Sequence, residues 1–171
     1  RCVGFVGESV QGSVESMTRT PVLSIVIVNS NGMQDTLNCI ASIYEHPPRE
    51  SFEIILVDNC SRESCLSIAQ DRYPLVRAFS SPTRQGFAKN YNLGIRRSCG
   101  EFVVILNNDT LVHAGALDVL LNMAKENSSY GIIGPHLLSP NGKVQTVCAR
   151  ELLSPVRYVL NLLVFDLGSP I

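Results

Sequence analysis

The chain has 171 residues, is 45% hydrophobic and carries a formal net charge of -1, which is enough apolar material to bury the core of one domain. With 14 Lys and Arg against 15 Asp and Glu, and no basic run, it offers no sequence-independent footprint for nucleic acid or for an anionic membrane surface. Six cysteines, Cys2, Cys39, Cys60, Cys65, Cys99 and Cys148, lie in apolar segments without the repeated short spacing of a zinc site, and read as reduced thiols.

Residues 1–20 show neither hydrophobic period and lack the basic segment and apolar run of a secretory signal. They are expected to be a disordered N-terminal extension, with Met17 as the natural start. Val22 to Val28, Ile54 to Val57 and Phe102 to Leu106 are almost wholly apolar and rich in β-branched residues, which suits strands buried on both faces of a parallel sheet. Between them Leu37, Ile40, Ala41 and Tyr44 follow the helical spacing, with Asn31 as the expected cap. Leu66, Ala69 and Tyr73 predict a second helix, Phe87, Ala88, Tyr91 and Ile95 a third, and Leu117, Leu120, Leu121 and Ala124 a fourth. Shorter strands are expected at Val76 to Phe79 and at Ile132 to Ile133. This alternation predicts an α/β fold, an open and mostly parallel sheet with helices on both faces.

Beyond Gly134, the turn signal Ser139-Pro140-Asn141-Gly142 predicts a hairpin joining His136 to Leu138 with Val144 to Val147. The apolar stretch Val159 to Leu167 is about half the roughly 20 residues that a bilayer span requires. It reads as a buried or partner-facing element.

Each of the three strong strands ends in polar residues: Asn29-Ser30-Asn31, Asp58-Asn59 and Asn107-Asn108-Asp109. Ligands of open α/β sheets bind outside the carboxyl ends of the strands, so these clusters should line one crevice. One such cluster is ordinary turn chemistry; three at equivalent positions read as a site. Neither a Gly-rich dinucleotide turn nor a P-loop follows any strand. A carboxylate such as Asp109 at a strand end can hold Mg or Mn with only one or two protein ligands, if diphosphate oxygens and water complete the shell.

Val57-Asp58-Asn59-Cys60-Ser61, then Gly86 through Ile95, then Gly100-Glu101-Phe102 running into Leu106-Asn107-Asn108-Asp109-Thr110 resemble, in order and spacing, the family 2 glycosyltransferases of the A-type fold. The flavour is rhamnosyltransferase-like, and the resemblance covers roughly residues 22–150. It implies a Rossmann-like nucleotide-diphospho-sugar transferase fold over residues 21–150, with residues 151–171 starting an acceptor-side region that is cut short. Asp58 would then hydrogen-bond the base of a uridine-type or thymidine-type nucleotide sugar, and the loop carrying Asn29 and Asn31 would line base and ribose. Gly86 would let the backbone approach the ligand, and Asn92 with Gly94 would shape the following helix. Asn107-Asn108-Asp109 stands where the family has its Asp-any-Asp motif, so Asp109 is the expected metal ligand, for Mg or Mn, and Asn107 a neutral helper near ribose or metal, beside Asn108.

By the same resemblance the whole enzyme transfers sugar from a nucleotide diphosphate to a hydroxyl of a glycan or lipid-linked acceptor, with inversion, in cell-surface polysaccharide synthesis. It would be cytoplasmic, with at most peripheral association at the inner face of the membrane. The family's general base lies in a later motif that has no match here; Glu151 and Asp166 sit in no recognisable motif, so this length of chain is expected to be inactive alone. Two other readings share the fold, a non-catalytic nucleotide-binding module and a sugar nucleotidyltransferase. The second lacks the Gly-rich, basic loop it would need after Val28.

Overall fold

The computed structural model describes residues 20–145, which fall into two compact units, one ending at Tyr130 and one beginning at Gly131. In the first unit the order is β1 (Leu23–Asn29), α1 (Met33–Glu45), β2 (Phe52–Asp58), α2 (Leu66–Arg72), β3 (Val76–Ser80), α3 (Phe87–Arg97), β4 (Phe102–Asn107) and α4 (Ala116–Glu126). The four strands form a parallel sheet in the order β3-β2-β1-β4. The chain thus steps outward from β1 to β3, then crosses back to place β4 on the other side of β1.

Alternate residues of β1 feed different cores because side chains on a strand point to opposite faces. Leu23, Ile25 and Ile27 pack with Leu37, Ile40 and Ile43 of α1 and with Leu117 and Leu121 of α4. Val26, with Ile55 and Val57 of β2, packs against Tyr91 of α3. Helices therefore cover both faces, as expected. Burial of each large aliphatic side chain contributes about 1.5–3 kcal/mol relative to exposure, and Ile25, Ile27, Ile40, Ile43, Ile54, Ile55 and Leu56 are all fully buried.

α3 lies close on the sheet because of Gly94: a Cβ there would stand 2.3 Å from Val26 Cγ1. Its buried residues are Asn90, Tyr91 and Gly94, so of its expected apolar stripe only Tyr91 is buried against the sheet. Phe87 is 68% exposed and Ile95 36%, against the expectation that they face the core. A helix that approaches a sheet on a glycine buries only the narrow strip beside that glycine.

β4 also departs from the expectation of burial on both faces. Among the described residues it is an edge strand with alternating burial, and Val103 and Ile105 on its α3 side are exposed. Asn31 does not cap α1. The Gly32 N–H is taken instead by Asn29 Oδ1 at 3.0 Å, while Asn31 adopts a left-handed φ of 62°, which asparagine tolerates better than most residues.

In the second unit, Ile132 and Ile133 form no strand. The expected hairpin is present as one antiparallel bridge, Leu138 with Val144, closed through Gly142 at φ 77°. The rest of its second strand, the stretch Val159 to Leu167, Glu151 and Asp166 lie outside the described residues, as do residues 1–19. No helix among the described residues is long and apolar enough to cross a membrane. Cys39, Cys60 and Cys65 are free thiols; Cys99 is disulfide-bonded, which corrects its reading as a thiol.

Candidate active site

The three polar strand ends do converge. In the sheet register Asn29 lies level with Asp58, and Val28 with Asn107. The strand order reverses between β1 and β4, the switch point at which open α/β sheets form their ligand crevice.

Asn29 is the knot of this edge. It is fully buried, and its Nδ2 donates to Asp58 Oδ1 at 2.8 Å and to Ser61 Oγ at 3.0 Å. Its Oδ1 accepts from the Gly32 N–H at 3.0 Å and from Thr36 Oγ1 at 3.1 Å. Two donors and two acceptor positions are the whole capacity of an asparagine side chain. Asn29 therefore sets the geometry of the loop rather than presenting a free group.

Asp58 is 3% exposed. Its Oδ1 receives Asn29 and its Oδ2 receives the Ser61 N–H at 3.1 Å, leaving further lone pairs on both oxygens. Asn31 reaches the same loop: its N–H donates to Ser61 Oγ at 2.9 Å and its Oδ1 accepts from the Arg62 N–H at 2.8 Å. Together with Met33, Arg62 and Glu63 it lines a cavity of about 470 Å³.

On the α3 side of the sheet Val28, Ser30, Asn59, Asn90, Asn107 and Asn108, with two aromatic rings of α3, line a second cavity of about 260 Å³. Asn108 Nδ2 donates to Thr36 Oγ1 at 3.1 Å, which ties the end of β4 to the start of α1. A side chain at Gly32 would block this, its Cβ falling 2.7 Å from Asn108 Nδ2. Asn107 Oδ1 accepts from the Tyr91 hydroxyl at 3.2 Å. Asn59 exchanges two hydrogen bonds with Gln85, at 3.0 and 2.8 Å, and so fastens the loop that leads into α3.

Asp109 is exposed just beyond β4. Its charge reaches two buried groups: the Cys39 thiol is pushed up to about 12, by burial first and Asp109 second. Tyr91 is also pushed up to about 12, by burial, then Cys39, then Asp109. Among the described residues no group of three or more His, Cys, Asp and Glu converges on one point. A lone exposed carboxylate flanked by amides still fits a hard cation whose remaining ligands are phosphate and water oxygens.

Gly86 begins α3 in an extended conformation, φ -72° and ψ 167°, with nothing within 4 Å of where a Cβ would stand. Asn92 is exposed on α3. Gly94 shapes the helix packing as described.

The model of the glycosyl transferase family 2 domain matches residues 24–160. The chain belongs to glycosyl transferase family 2. Among curated relatives of this family 2 chain, it is 28% identical over 125 residues to the poly(ribitol-phosphate) beta-N-acetylglucosaminyltransferase TarP of Staphylococcus aureus, covering 71% of this chain and 38% of TarP. It is 26% identical over 148 residues to the N-acetylglucosaminyl-diphospho-decaprenol L-rhamnosyltransferase of Mycobacterium tuberculosis, covering 80% of this chain and 47% of that protein. It also resembles the solved mannosyltransferase PcManGT of Pyrobaculum calidifontis in complex with GDP-Man and Mn2+, with a TM-score of 0.57 and 26% identity over 72% of this chain and 37% of that one. The chain spans less than half the length of these relatives.

Three features of this family 2 crevice were not read from the sequence: the knot at Asn29, the reach of Tyr91 to Asn107, and the burial of Asn90. Gly94 held a usable signal. A glycine at mid-helix selects a narrow contact strip one turn long, and Asn90 and Tyr91 are the residues on it.

Proposed function

We propose that this chain supplies the donor side of an inverting glycosyltransferase, binding a nucleotide diphosphate sugar at the carboxyl edge of its sheet with a divalent metal, Mg or Mn, at Asp109. The observation that carries this reading is the position of Asn107-Asn108-Asp109 at the switch-point end of β4, within a family 2 domain. The Mn2+ and GDP-Man bound by PcManGT support a metal-dependent nucleotide sugar as the ligand class.

Asp109 would hold the metal, with Asn107 and Asn108 as neutral neighbours, and Asn29 would order the loop around Asn31 and Asp58. When bound, the metal would neutralise charge on the departing diphosphate. The chain's own residues bind and orient. Gly86 lets backbone approach the ligand, and Asn92 stands on the exposed side of the helix that follows. Asp58 offers a buried carboxylate to a base carrying a ring N–H, which uracil, thymine and guanine have and cytosine and adenine lack; the donor proposed is of the uridine or thymidine type. An acceptor hydroxyl of a glycan or lipid-linked substrate, losing its proton to a base, then attacks the anomeric carbon as the nucleoside diphosphate leaves. The setting is cell-surface polysaccharide synthesis at the cytoplasmic face of the membrane.

Calorimetry with uridine, thymidine and guanosine diphosphates, with Mg2+ or Mn2+ and then with chelator, tests this. Metal and nucleotide should tighten each other by the same factor. Asp109→Asn should remove most of the metal dependence and leave weak nucleotide binding. Asp58→Ala should lower affinity by about 1–3 kcal/mol, the cost of losing a buried partner, while the residual binding still responds to metal. Binding indifferent to metal and to both substitutions would refute the reading.

A further inference from the structure

Asn90 is the residue of α3 that the fold treats most unusually. It is 1% exposed on a helix whose Phe87 is left largely in solvent. Its Nδ2 donates to the carbonyls of Gln85 and Gly86, each at 3.2 Å. Both partners are acceptors, so the amide cannot be reversed without facing oxygen with oxygen. Its Oδ1 is thereby fixed as the atom turned away from those two carbonyls, and it is the one buried side-chain oxygen or nitrogen among the described residues that has no hydrogen-bond partner. Native folds rarely leave such a group unsatisfied, and each instance calls for an explanation.

The surroundings supply one. Asn90 belongs to the wall of the 260 Å³ cavity at the switch point, a space several times that of a water molecule. Among the described residues that wall contains no carboxylate, ammonium or guanidinium. It is built of asparagine amides, the Ser30 hydroxyl and the rings of Phe87 and Tyr91, which lie 4.5 Å apart at the centroids. Such a lining suits a neutral ring bearing hydroxyls, held by amides at its edge and by aromatic faces on its C–H side, rather than a charged phosphate.

We propose that Asn90 is a specificity-determining residue for a sugar ring bound in this cavity, its Oδ1 accepting a hydrogen bond from one ring hydroxyl. The inference rests on the nucleotide-sugar reading and sharpens it. The hydroxyl belongs either to the ribose or to the transferred sugar; the chemistry at Asn90 is the same, and the ligand series separates them. Because the acceptor is buried and otherwise unpaired, a ligand lacking that hydroxyl leaves the oxygen unsatisfied. A site built to bond a hydroxyl rejects the deoxy analogue more strongly than an apolar site rejects an added one.

The test is calorimetry on the 171-residue chain, with uridine diphosphate, its 2′-deoxy and 3′-deoxy forms, uridine diphosphate glucose, and analogues of the latter lacking one sugar hydroxyl each. The expected result is that a single deletion weakens binding to the wild-type chain by roughly tenfold or more, and that Asn90→Leu, similar in shape but without an acceptor, erases that difference. A second readout guards against misfolding of the variant. In the wild-type chain, the carbon-13 resonance of the Asn90 side-chain carbonyl should shift on binding the hydroxylated ligand, and not on binding the matching deoxy form.

If nucleotides bind but every deletion costs the same in wild type and Asn90→Leu, or the Asn90 carbonyl resonance is indifferent to the hydroxyl, the role of Asn90 is overturned while the nucleotide-sugar reading stands. If no nucleotide or nucleotide sugar binds the wild-type chain, the reading beneath it fails instead, and the proposal with it.

Discussion

The Tyr91 hydroxyl, carried on α3, bonds the end of β4: it lies 3.1 Å from the Leu106 carbonyl and 3.2 Å from Asn107 Oδ1. One phenolic proton is thus shared between the backbone of the strand and the side chain at its tip. The oxygen of Asn107 is turned toward α3, and its NH2 group is left for other partners. Helix and edge strand are joined at the point where the crevice opens.

Replacing that hydroxyl tests the joint. Tyr91→Phe keeps the ring against Val26, Ile55 and Val57 and removes only the shared bond. It should cost about 0.5–1.5 kcal/mol of stability, read in urea denaturation as a lower midpoint at unchanged slope. Nucleotide affinity should fall as well, because Asn107 loses its orientation. Unchanged affinity beside a lowered midpoint would reduce the contact to structural support.

Gly94→Ala should destabilise by about 1–3 kcal/mol through overpacking, since the new methyl would stand 2.3 Å from Val26 Cγ1 and 3.4 Å from Val57 Cγ2. Val26→Ala alone should also destabilise, by opening a cavity. Combined, the two should cost less than their sum, with a coupling of about 0.5–3 kcal/mol, because one methyl occupies the space vacated by the others. Simple additivity in thermal or chemical denaturation would show that α3 shifts away from the sheet instead.

The free thiols should separate by reactivity. Cys39 and Cys65 are fully buried and Cys60 is exposed. Burial raises the pKa of both buried groups, Cys39 to about 12 with Asp109 adding to the shift and Cys65 with Asp58 adding. A raised thiol pKa keeps the group protonated and unreactive at neutral pH, because the thiolate is the nucleophile. Alkylation of the native chain near pH 8, followed by peptide mass spectrometry, should therefore label Cys60 well before Cys39 or Cys65. Early labelling of Cys39 would mean that the joint between α1 and β4, where its Sγ meets the Asn107 carbonyl, opens readily.

The central strands were legible because β1 and β2, covered on both faces, need uninterrupted apolar runs, and such runs are visible without a partner. β4 has the same composition yet lies at the edge of the sheet formed by the described residues, and nothing in Phe102 to Leu106 records which neighbour stands beside it. The polar strand ends were legible as a set because the parallel register brings Asn29, Asp58 and Asn107 to one edge. Their individual duties were not. Whether an asparagine faces a ligand or spends all its hydrogen bonds internally, as Asn29 does, depends on Gly32, Thr36 and Ser61 arriving from other elements. Asn90 was hidden for the related reason that a polar residue on a helix reads as solvent-facing until the close contact at Gly94 turns that side inward.

Gly86 offers the cleanest separation of binding from folding. Its backbone, φ -72° and ψ 167°, is open to any residue, and no atom lies within 4 Å of a Cβ built there. Gly86→Ala should therefore leave the fold intact, or stabilise it by about 0.4–1 kcal/mol by restricting the unfolded chain. If the ligand comes against this backbone, as proposed, the same methyl must obstruct it. Calorimetry should then show nucleotide affinity reduced by tenfold or more while the denaturation midpoint holds or rises. A variant that binds as well as wild type would remove Gly86 from the site and leave it as the start of α3 alone.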